Sequence, residues 1–145
     1  MEETIRIMVT CEQNSVLPKY AFKNDACVDL FYNGPSFVLG SMETQKCGSG
    51  IRMQIPVGYL GMVCSRSGLA KKGVIVSNAP GIIDSGYRGE VCVLLTNTSK
   101  DESEINTGDR IAQLVVLPYP EIVFEQTQSL EDTDRGTGGF GSSGK

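Results

Sequence analysis

The feature that most constrains the fold is an alternation of apolar and polar residues with a period of two. Residues 5–9 and 51–55 each place a large apolar side chain at every second position, which is typical of half-buried strands. Compact apolar runs bounded by Gly, Pro, Asn or Ser predict further strands at residues 59–64, 74–76, 91–96, 111–117 and 122–124. Only residues 68–72 suggest a helix, of about one turn. Short strands at this spacing predict an all-β sandwich, jelly roll or barrel.

The length and the composition predict one domain followed by a tail. A chain of 145 residues is expected to form a single domain. Residues 132–145 contain five glycines and one large apolar side chain, so we expect a domain over residues 1–131 and a mobile tail over 132–145. In that tail, Arg135 offers a phosphate donor and Phe140 a stacking face. The tail therefore suits a flap that orders over a nucleotide, and a plain disordered terminus is the alternative.

The chain contains no histidine, which limits its chemistry. Ser-His-Asp and Cys-His nucleophile systems are excluded, and so are His-ligated metal sites. Proton transfer near neutral pH must use a carboxylate, a perturbed Lys or Cys, a Tyr or a metal-bound water.

Charge and cysteine usage narrow the partners and the compartment. A net charge of −4 argues against binding long nucleic acids, although it does not exclude a nucleotide. The five cysteines are widely spaced, without a C-x-x-C pair, so we expect no disulfide framework and a reducing compartment, cytoplasmic or nuclear. The acidic N-terminus leads into no apolar segment, so neither a signal peptide nor a membrane partner is expected.

Five short motifs follow one another along the chain. They are DACVDL at 25–30, SRSGLA at 65–70, NAPGIIDSGYRGE at 78–90, GDRIAQL at 108–114 and RGTGGFGSSG at 135–144. Together they resemble the dUTPase family, the trimeric all-β dUTP pyrophosphatases, over most of the chain. Two departures from the family pattern are Cys27 in place of a glycine and Ser65 in place of a proline. Neither removes a functional side chain.

The resemblance implies a fold, an assembly and a reaction. The fold would be a jelly-roll-like β-barrel, the dUTPase-like β-clip, in a homotrimer whose three sites each collect motifs from all subunits. The reaction would be dUTP + H2O → dUMP + pyrophosphate, with Mg²⁺ as cofactor and dUTP as the small-molecule partner. It keeps uracil out of DNA and supplies dUMP for dTMP synthesis.

The resemblance also implies roles for catalytic and metal-binding residues. Asp84 would orient and deprotonate the attacking water, and Gln113 would lie near the α-phosphate. Arg135 would clamp the γ-phosphate when the tail closes. Asp29 would hold the Mg²⁺ shell through water, as Mg²⁺ typically keeps several waters. Taken alone, each has a plainer interpretation: a turn Asp, an outward-facing Gln, a tail Arg and a strand-end Asp.

Further residues are implied in substrate binding. Tyr87 would pack against the deoxyribose and leave no room for a 2′-hydroxyl, and Asn78 with nearby backbone would read the uracil edge. Phe140 would stack on the uracil, while Asp109 and Arg110 would pair or support the site. The substrate-binding set is Arg66, Ser67, Gly68, Asn78, Ile82, Ile83, Tyr87, Cys92, Phe140, Gly141, Ser142 and Ser143.

Two other functions compete with dUTP hydrolysis. One is an interaction protein on the same fold, which would bind dUTP or a protein partner without turnover. The other is the related dCTP deaminase branch, or a bifunctional member. That branch carries a catalytic Glu after the third motif, where this chain has Leu94. A leucine cannot move the proton that deamination needs.

Overall fold

The computed structural model describes residues 4–144, and it is almost entirely β-structure. Residues 1–3 and 145, at the ends of the predicted domain and tail, lie outside the described residues. One helix, α1, spans Ser67–Lys71. The strands are β1 Met8–Cys11, β2 Val28–Phe31, β3 Phe37–Leu39, β4 Thr44–Gln54, β5 Tyr59–Cys64, β6 Val74–Val76, β7 Gly81–Ile83, β8 Glu90–Asn97, β9 Ser103–Ile105 and β10 Arg110–Pro118.

The strands form open sheets, not a closed barrel. One four-stranded sheet has the order β1-β4-β8-β6, the other has the order β2-β10-β5-β7, and β3 pairs with β9. Closing a barrel requires the edge strands to be joined by ladders. Within residues 4–144 no ladder joins the edges of the two larger sheets. The all-β prediction is therefore confirmed, but the single chain does not form the predicted jelly-roll-like barrel.

The core lies between the sheets and follows the period-two pattern. In β8, Val91, Val93 and Leu95 are buried, while Glu90 and Cys92 point to the opposite face and are half-buried. Strand β4 pairs antiparallel with β8, and its buried residues likewise lie mostly on one face. One face of this strand pair therefore packs in the core, and the other is available for a binding site.

Most predicted strands are present, with different ends. Strands β5 and β6 have the predicted bounds, whereas β8 and β10 extend a little beyond theirs and residues 51–54 form the end of β4. Of the predicted strand at 5–9, only residues 8 and 9 lie in β1. The prediction for 122–124 is wrong, because no strand among residues 4–144 pairs with this segment. Its side chains are instead exposed, Phe124 by 92%.

The predicted helical turn is confirmed, one residue earlier than expected. Gly73 follows α1 with φ of +87°, a conformation that favours glycine. A Cβ at this position would lie 2.8 Å from the Ser99 Cβ. Glycine is therefore needed here both for the turn and for the close approach of the next loop. No helix within residues 4–144 is long and apolar enough to cross a bilayer.

A fully buried polar side chain, Asn97, ties the end of β8 to neighbouring segments. Its Nδ2 donates to the Leu39 carbonyl at 3.0 Å and to the Asp101 carbonyl at 2.7 Å. Its Oδ1 accepts from the Ser99 N–H at 2.9 Å and from the Ser99 hydroxyl at 2.7 Å. These bonds use the full donor and acceptor capacity of the amide. Asn97 is thus satisfied although it is buried.

We expect Asn97→Leu to lower the free energy of unfolding by roughly 2–4 kcal/mol, because several buried polar groups lose their partners and the bulkier methyl groups crowd a fully buried site. The measurement is urea unfolding at one fixed protein concentration. Asn106→Leu, at an exposed position, is the control and should shift the midpoint little. Equal midpoints for the two variants would contradict this role for Asn97.

Candidate functional site

Six of the predicted site residues line one pocket, which we call the hairpin pocket. It has a volume of about 470 Å³ and lies between β7, the turn that follows it, and the outer face of β4 and β8. The predicted residues in it are Asn78, Ile82, Ile83, Asp84, Tyr87 and Cys92. Its other lining residues are Lys46, Arg52, Val63, Gly81, Glu90 and Val91. Most of these predicted residues belong to the third motif, which therefore contributes much of one concave surface.

The turn after β7 holds Asp84 and Tyr87 in fixed relation. The Tyr87 N–H donates to the Asp84 carbonyl at 3.0 Å, and the Tyr87 hydroxyl donates to the Glu90 carbonyl at 3.0 Å. Arg52 on β4 reaches across and donates to the Arg88 carbonyl at 3.2 Å. The Asp84 carboxylate itself is exposed and has no hydrogen-bond partner among residues 4–144. The turn thus presents a free carboxylate beside a held aromatic ring.

Cys92 contributes a thiol that stays protonated. Its Sγ donates to the Glu90 Oε2 at 3.0 Å. Burial, and next the hydrogen bond to Glu90, raise the pKa of Cys92 to about 12. Sequence reasoning assigned Cys92 to this pocket but missed Glu90. The available signal was the spacing of two, which places both side chains on one face of a strand.

A second group of predicted residues lines another pocket, which we call the Asp29 pocket. It contains Asp29, Arg66, Ser67, Gly68 and Gln113 from the first, second and fourth motifs. It is completed by Ala21, Phe22, Asp25, Ala26 and Cys27. Asp29 lies on β2, Gln113 on β10 and Ser67 at the start of α1, whereas Asp25 lies in the loop before β2.

Two arginines hold the carboxylate of Asp29, whose side chain is only 10% exposed. The Arg66 Nε lies 3.1 Å from one carboxylate oxygen, and the Arg110 Nε lies 3.6 Å from the other. Arg110 therefore pairs with Asp29 and not with Asp109, whose carboxylate accepts from the Asn106 N–H at 2.8 Å. Of the two alternatives expected for Asp109 and Arg110, a direct pair is not formed, and a supporting role stays a prediction.

Gln113 and Ser65 lie beside this carboxylate. Gln113 pairs with Asp29 in the β10–β2 register and donates from its Nε2 to the Ser65 carbonyl at 3.0 Å. The Ser65 hydroxyl accepts from the Val76 N–H at 2.8 Å. A proline at position 65 could not accept that bond, so the serine fixes this loop by a different means. Cys27 is not among the non-glycine residues of positive φ within 4–144, so its side chain fits the local backbone.

The residues of the Asp29 pocket fit a magnesium ion that arrives with its nucleotide. No group of three or more His, Cys, Asp or Glu within residues 4–144 could hold a metal by itself. Each oxygen of Asp29 contacts one arginine and keeps a further lone pair for a water. Mg²⁺ often binds through one or two carboxylates, several waters and substrate phosphates. The donor set matches that mode.

The described structure keeps the two pockets and the tail apart. The pockets share no lining residue. Asp29 lies on β2 and the hairpin pocket adjoins β7, at opposite edges of one four-stranded sheet. Three strand spacings separate these edges, so the two strands lie about 14 Å apart. In the tail, the Arg135 Nε donates to the Gly138 carbonyl at 2.9 Å, and Phe140 is fully exposed. Neither residue lines either pocket, and the same holds for Gly141, Ser142 and Ser143.

Comparisons with known proteins identify the family of this chain. The dUTPase family model matches residues 13–144. Deoxyuridine 5'-triphosphate nucleotidohydrolase of Cutibacterium acnes is 44% identical over 140 residues, 95% of this chain and 91% of that protein. The protein of the same name from Rhodococcus erythropolis is 47% identical over 130 residues, 88% of this chain and 79% of that protein.

Solved structures of two phage proteins share the fold. A mutant dUTPase of Staphylococcus bacteriophage 80alpha, solved with dUpNHpp, has a TM-score of 0.89 and 28% identity, and covers 98% of this chain and 100% of that one. A mutant dUTPase from phage phi11 of S. aureus, described with a structural Mg(II) ion, has a TM-score of 0.80 and 25% identity, over 88% of this chain and 100% of that one. The ordered motifs, the two pockets and these similarities lead to one conclusion: the chain belongs to the dUTPase family.

Proposed function

We propose that this chain is a dUTP diphosphatase, which hydrolyses dUTP to dUMP and pyrophosphate. The observation that carries the proposal is the hairpin pocket, where an exposed carboxylate, Asp84, stands beside the held ring of Tyr87. Membership of the dUTPase family supports the same activity. The activity would keep uracil out of DNA and supply dUMP for dTMP synthesis. The five free cysteines are consistent with a reducing compartment, cytoplasmic or nuclear.

The active assembly in this proposal is a homotrimer with shared sites. The hairpin pocket and the Asp29 pocket lie at opposite sheet edges, and each site in this proposal joins the hairpin pocket of one chain to the Asp29 pocket of another. The exposed apolar side chains of Ile122, Val123 and Phe124 also leave surface for a neighbour to cover. Closed symmetry repeats the same contact around the ring. The jelly-roll-like barrel is likewise proposed for the chain within this trimer.

In the hairpin pocket, the backbone and Asn78 would read the uracil. The backbone near Ile82, Ile83 and Cys92 offers fixed donors and acceptors, so a base with a different edge would leave groups unpaired. Tyr87 would lie against the deoxyribose, where a 2′-hydroxyl would collide with the ring. The hydroxyl of Tyr87 is held at 3.0 Å from the Glu90 carbonyl, which makes the ring a firm wall.

In the chemical step, Asp84 would take a proton from water as the water oxygen bonds to the α-phosphorus. The bond from that phosphorus to the bridging oxygen breaks, and pyrophosphate leaves with the electron pair. Gln113 and Ser67 would orient the α- and β-phosphates, while Arg66 and the tail's Arg135 would neutralise the developing charge. Bound Mg²⁺ would polarise the phosphate oxygens, with Asp29 holding one of its waters.

The tail at 132–145 would close the site in this proposal. Asp84 is exposed in the single chain, so exclusion of bulk water must come from a neighbour, the substrate and the tail. Phe140 would stack on the uracil, and Gly141, Ser142 and Ser143 would cover the phosphates.

We expect Asp84→Asn to lower kcat for dUTP by about a thousandfold and to leave dUTP binding nearly unchanged, because a general base is lost and the shape is kept. The measurement is pyrophosphate release with Mg²⁺. Asp101→Asn, an exposed change elsewhere, should behave as wild type. Equal turnover by wild-type protein and Asp84→Asn would refute the proposed mechanism.

We expect Tyr87→Ala to lower the preference for dUTP over UTP by about tenfold or more, because the wall against the 2′-hydroxyl is removed. The ratio of kcat/KM for the two nucleotides is the readout. Tyr119→Ala, which lies outside both pockets, is the matched control. An unchanged ratio in Tyr87→Ala would show that another group makes this distinction.

Shared sites can be tested by mixing two inactive variants. Asp84→Asn damages the hairpin pocket and Asp29→Asn damages the Asp29 pocket. Unfolding the two together and refolding them in equal amounts should restore about a quarter of wild-type activity, since a quarter of random pairings join two intact pockets. Refolding each variant alone is the control. A mixture no more active than either variant would mean that both pockets of one chain serve the same site.

A further inference from the structure

One residue of the hairpin pocket, Glu90, contacts both of its walls. Its carbonyl accepts from the Tyr87 hydroxyl at 3.0 Å, on the side of the turn. Its carboxylate accepts from the Cys92 thiol at 3.0 Å, on the side of the sheet. Tyr87 on the turn and Cys92 on the sheet side of the pocket are therefore connected through a single residue, the last one of the third motif.

The carboxylate of Glu90 is itself seated in an irregularity of β4. The β4–β8 register shifts between Gly48, opposite Cys92, and Arg52, opposite Glu90. In this bulge the Gly50 N–H donates to the Glu90 Oε1 at 3.1 Å. A Cβ on Gly48 would lie 2.7 Å from the Glu90 Oε2, so the glycine leaves the space that the carboxylate occupies. Both oxygens of Glu90 thus have a defined partner.

The surroundings keep the Cys92 thiol protonated. Glu90 is half-buried, and Lys46 and Arg52 line the same pocket. The Cys92 thiol is desolvated and faces that carboxylate, and both effects raise its pKa. Lys46 lowers this pKa and Cys47 raises it, each by less. The thiol is therefore a hydrogen-bond donor to Glu90 and a poor nucleophile.

We propose that Glu90 is a positioning residue of the hairpin pocket. It fixes the Cys92 edge relative to the Tyr87 wall and so sets the width that a pyrimidine nucleoside must fit. This inference rests on the proposed function, because it assigns the pocket to dUTP. It predicts that Glu90 affects the KM of the nucleotide and leaves the chemical step largely unchanged, since Glu90 does not touch the reacting phosphate.

The first test is the reactivity of Cys92 toward N-ethylmaleimide, read by mass spectrometry with the exposed Cys11 as internal reference. Glu90→Gln keeps an oxygen for the Gly50 N–H but removes the negative charge beside the thiol. Alkylation of Cys92 relative to Cys11 should then rise about tenfold, because a lost charge and a lost hydrogen bond to the thiol favour the thiolate. Glu104→Gln, an exposed change on β9, is the control and should leave the ratio unchanged.

The second test is a double-mutant cycle on dUTP hydrolysis. Glu90→Gln and Cys92→Ala should each raise KM by about fivefold with kcat within about twofold, and the double variant should be no worse than either, because the two residues form one unit. Cys92→Ser, whose hydroxyl can still donate to Glu90, should restore most of the affinity. The proposal would be overturned if the two increases in KM multiplied in the double variant, or if kcat fell while KM was unchanged.

The two tests separate this inference from the proposed function. Alkylation needs no turnover, so it reports on Glu90 whether or not dUTP is hydrolysed. A wild-type protein that releases no pyrophosphate contradicts the proposed function. Unchanged Cys92 alkylation in Glu90→Gln contradicts the role of Glu90.

Discussion

The antiparallel pairing of β4 with β8 is the constraint on which the rest of the structure depends. Alternation in β8 sends Val91, Val93 and Leu95 into the core and leaves Glu90 and Cys92 on the other face. A slip of one residue would exchange those two sets, burying the carboxylate and exposing the apolar side chains. Burial of three such side chains is worth several kcal/mol, so the core holds the register of the binding face. The buried side chains of the core thus keep the residues of the hairpin pocket in position.

The Asp29 pocket obeys a second constraint, which is electrostatic. A carboxylate as buried as that of Asp29 costs several kcal/mol to desolvate unless cations and hydrogen bonds compensate it. Arg66 and Arg110 supply that compensation from two different segments, and so bring α1 and β10 against β2. The same guanidinium groups offset the negative charges of Asp25 and Asp29, so the pocket is close to neutral in sum. The ion pairs that compensate a buried carboxylate thus also set the charge of the pocket.

The sequence predicts several strands and about half of the residues that line each pocket, because their signals are local. Apolar runs bounded by turn residues identify β5, β6, β8 and β10, and ordered motifs identify residues such as Asp84 and Gln113. Strands β2 and β9 are short and include polar residues, so they show no such run. The partners of Arg110 and Glu90 depend on which strands become neighbours. Apolarity alone wrongly predicted a strand at 122–124, since a strand also needs a partner.

The wide separation of the two pockets has a consequence for how substitutions interact. In the proposed trimer, Asp84 and Asp29 of one polypeptide never serve the same nucleotide, yet every change in the gene enters both halves of every site. Residues at opposite edges of the sheet would then show the epistasis that is normally found between direct contacts. Coupling between substitutions in this family would depend on which residues meet across the subunits of the trimer. Distances within one chain would not predict it.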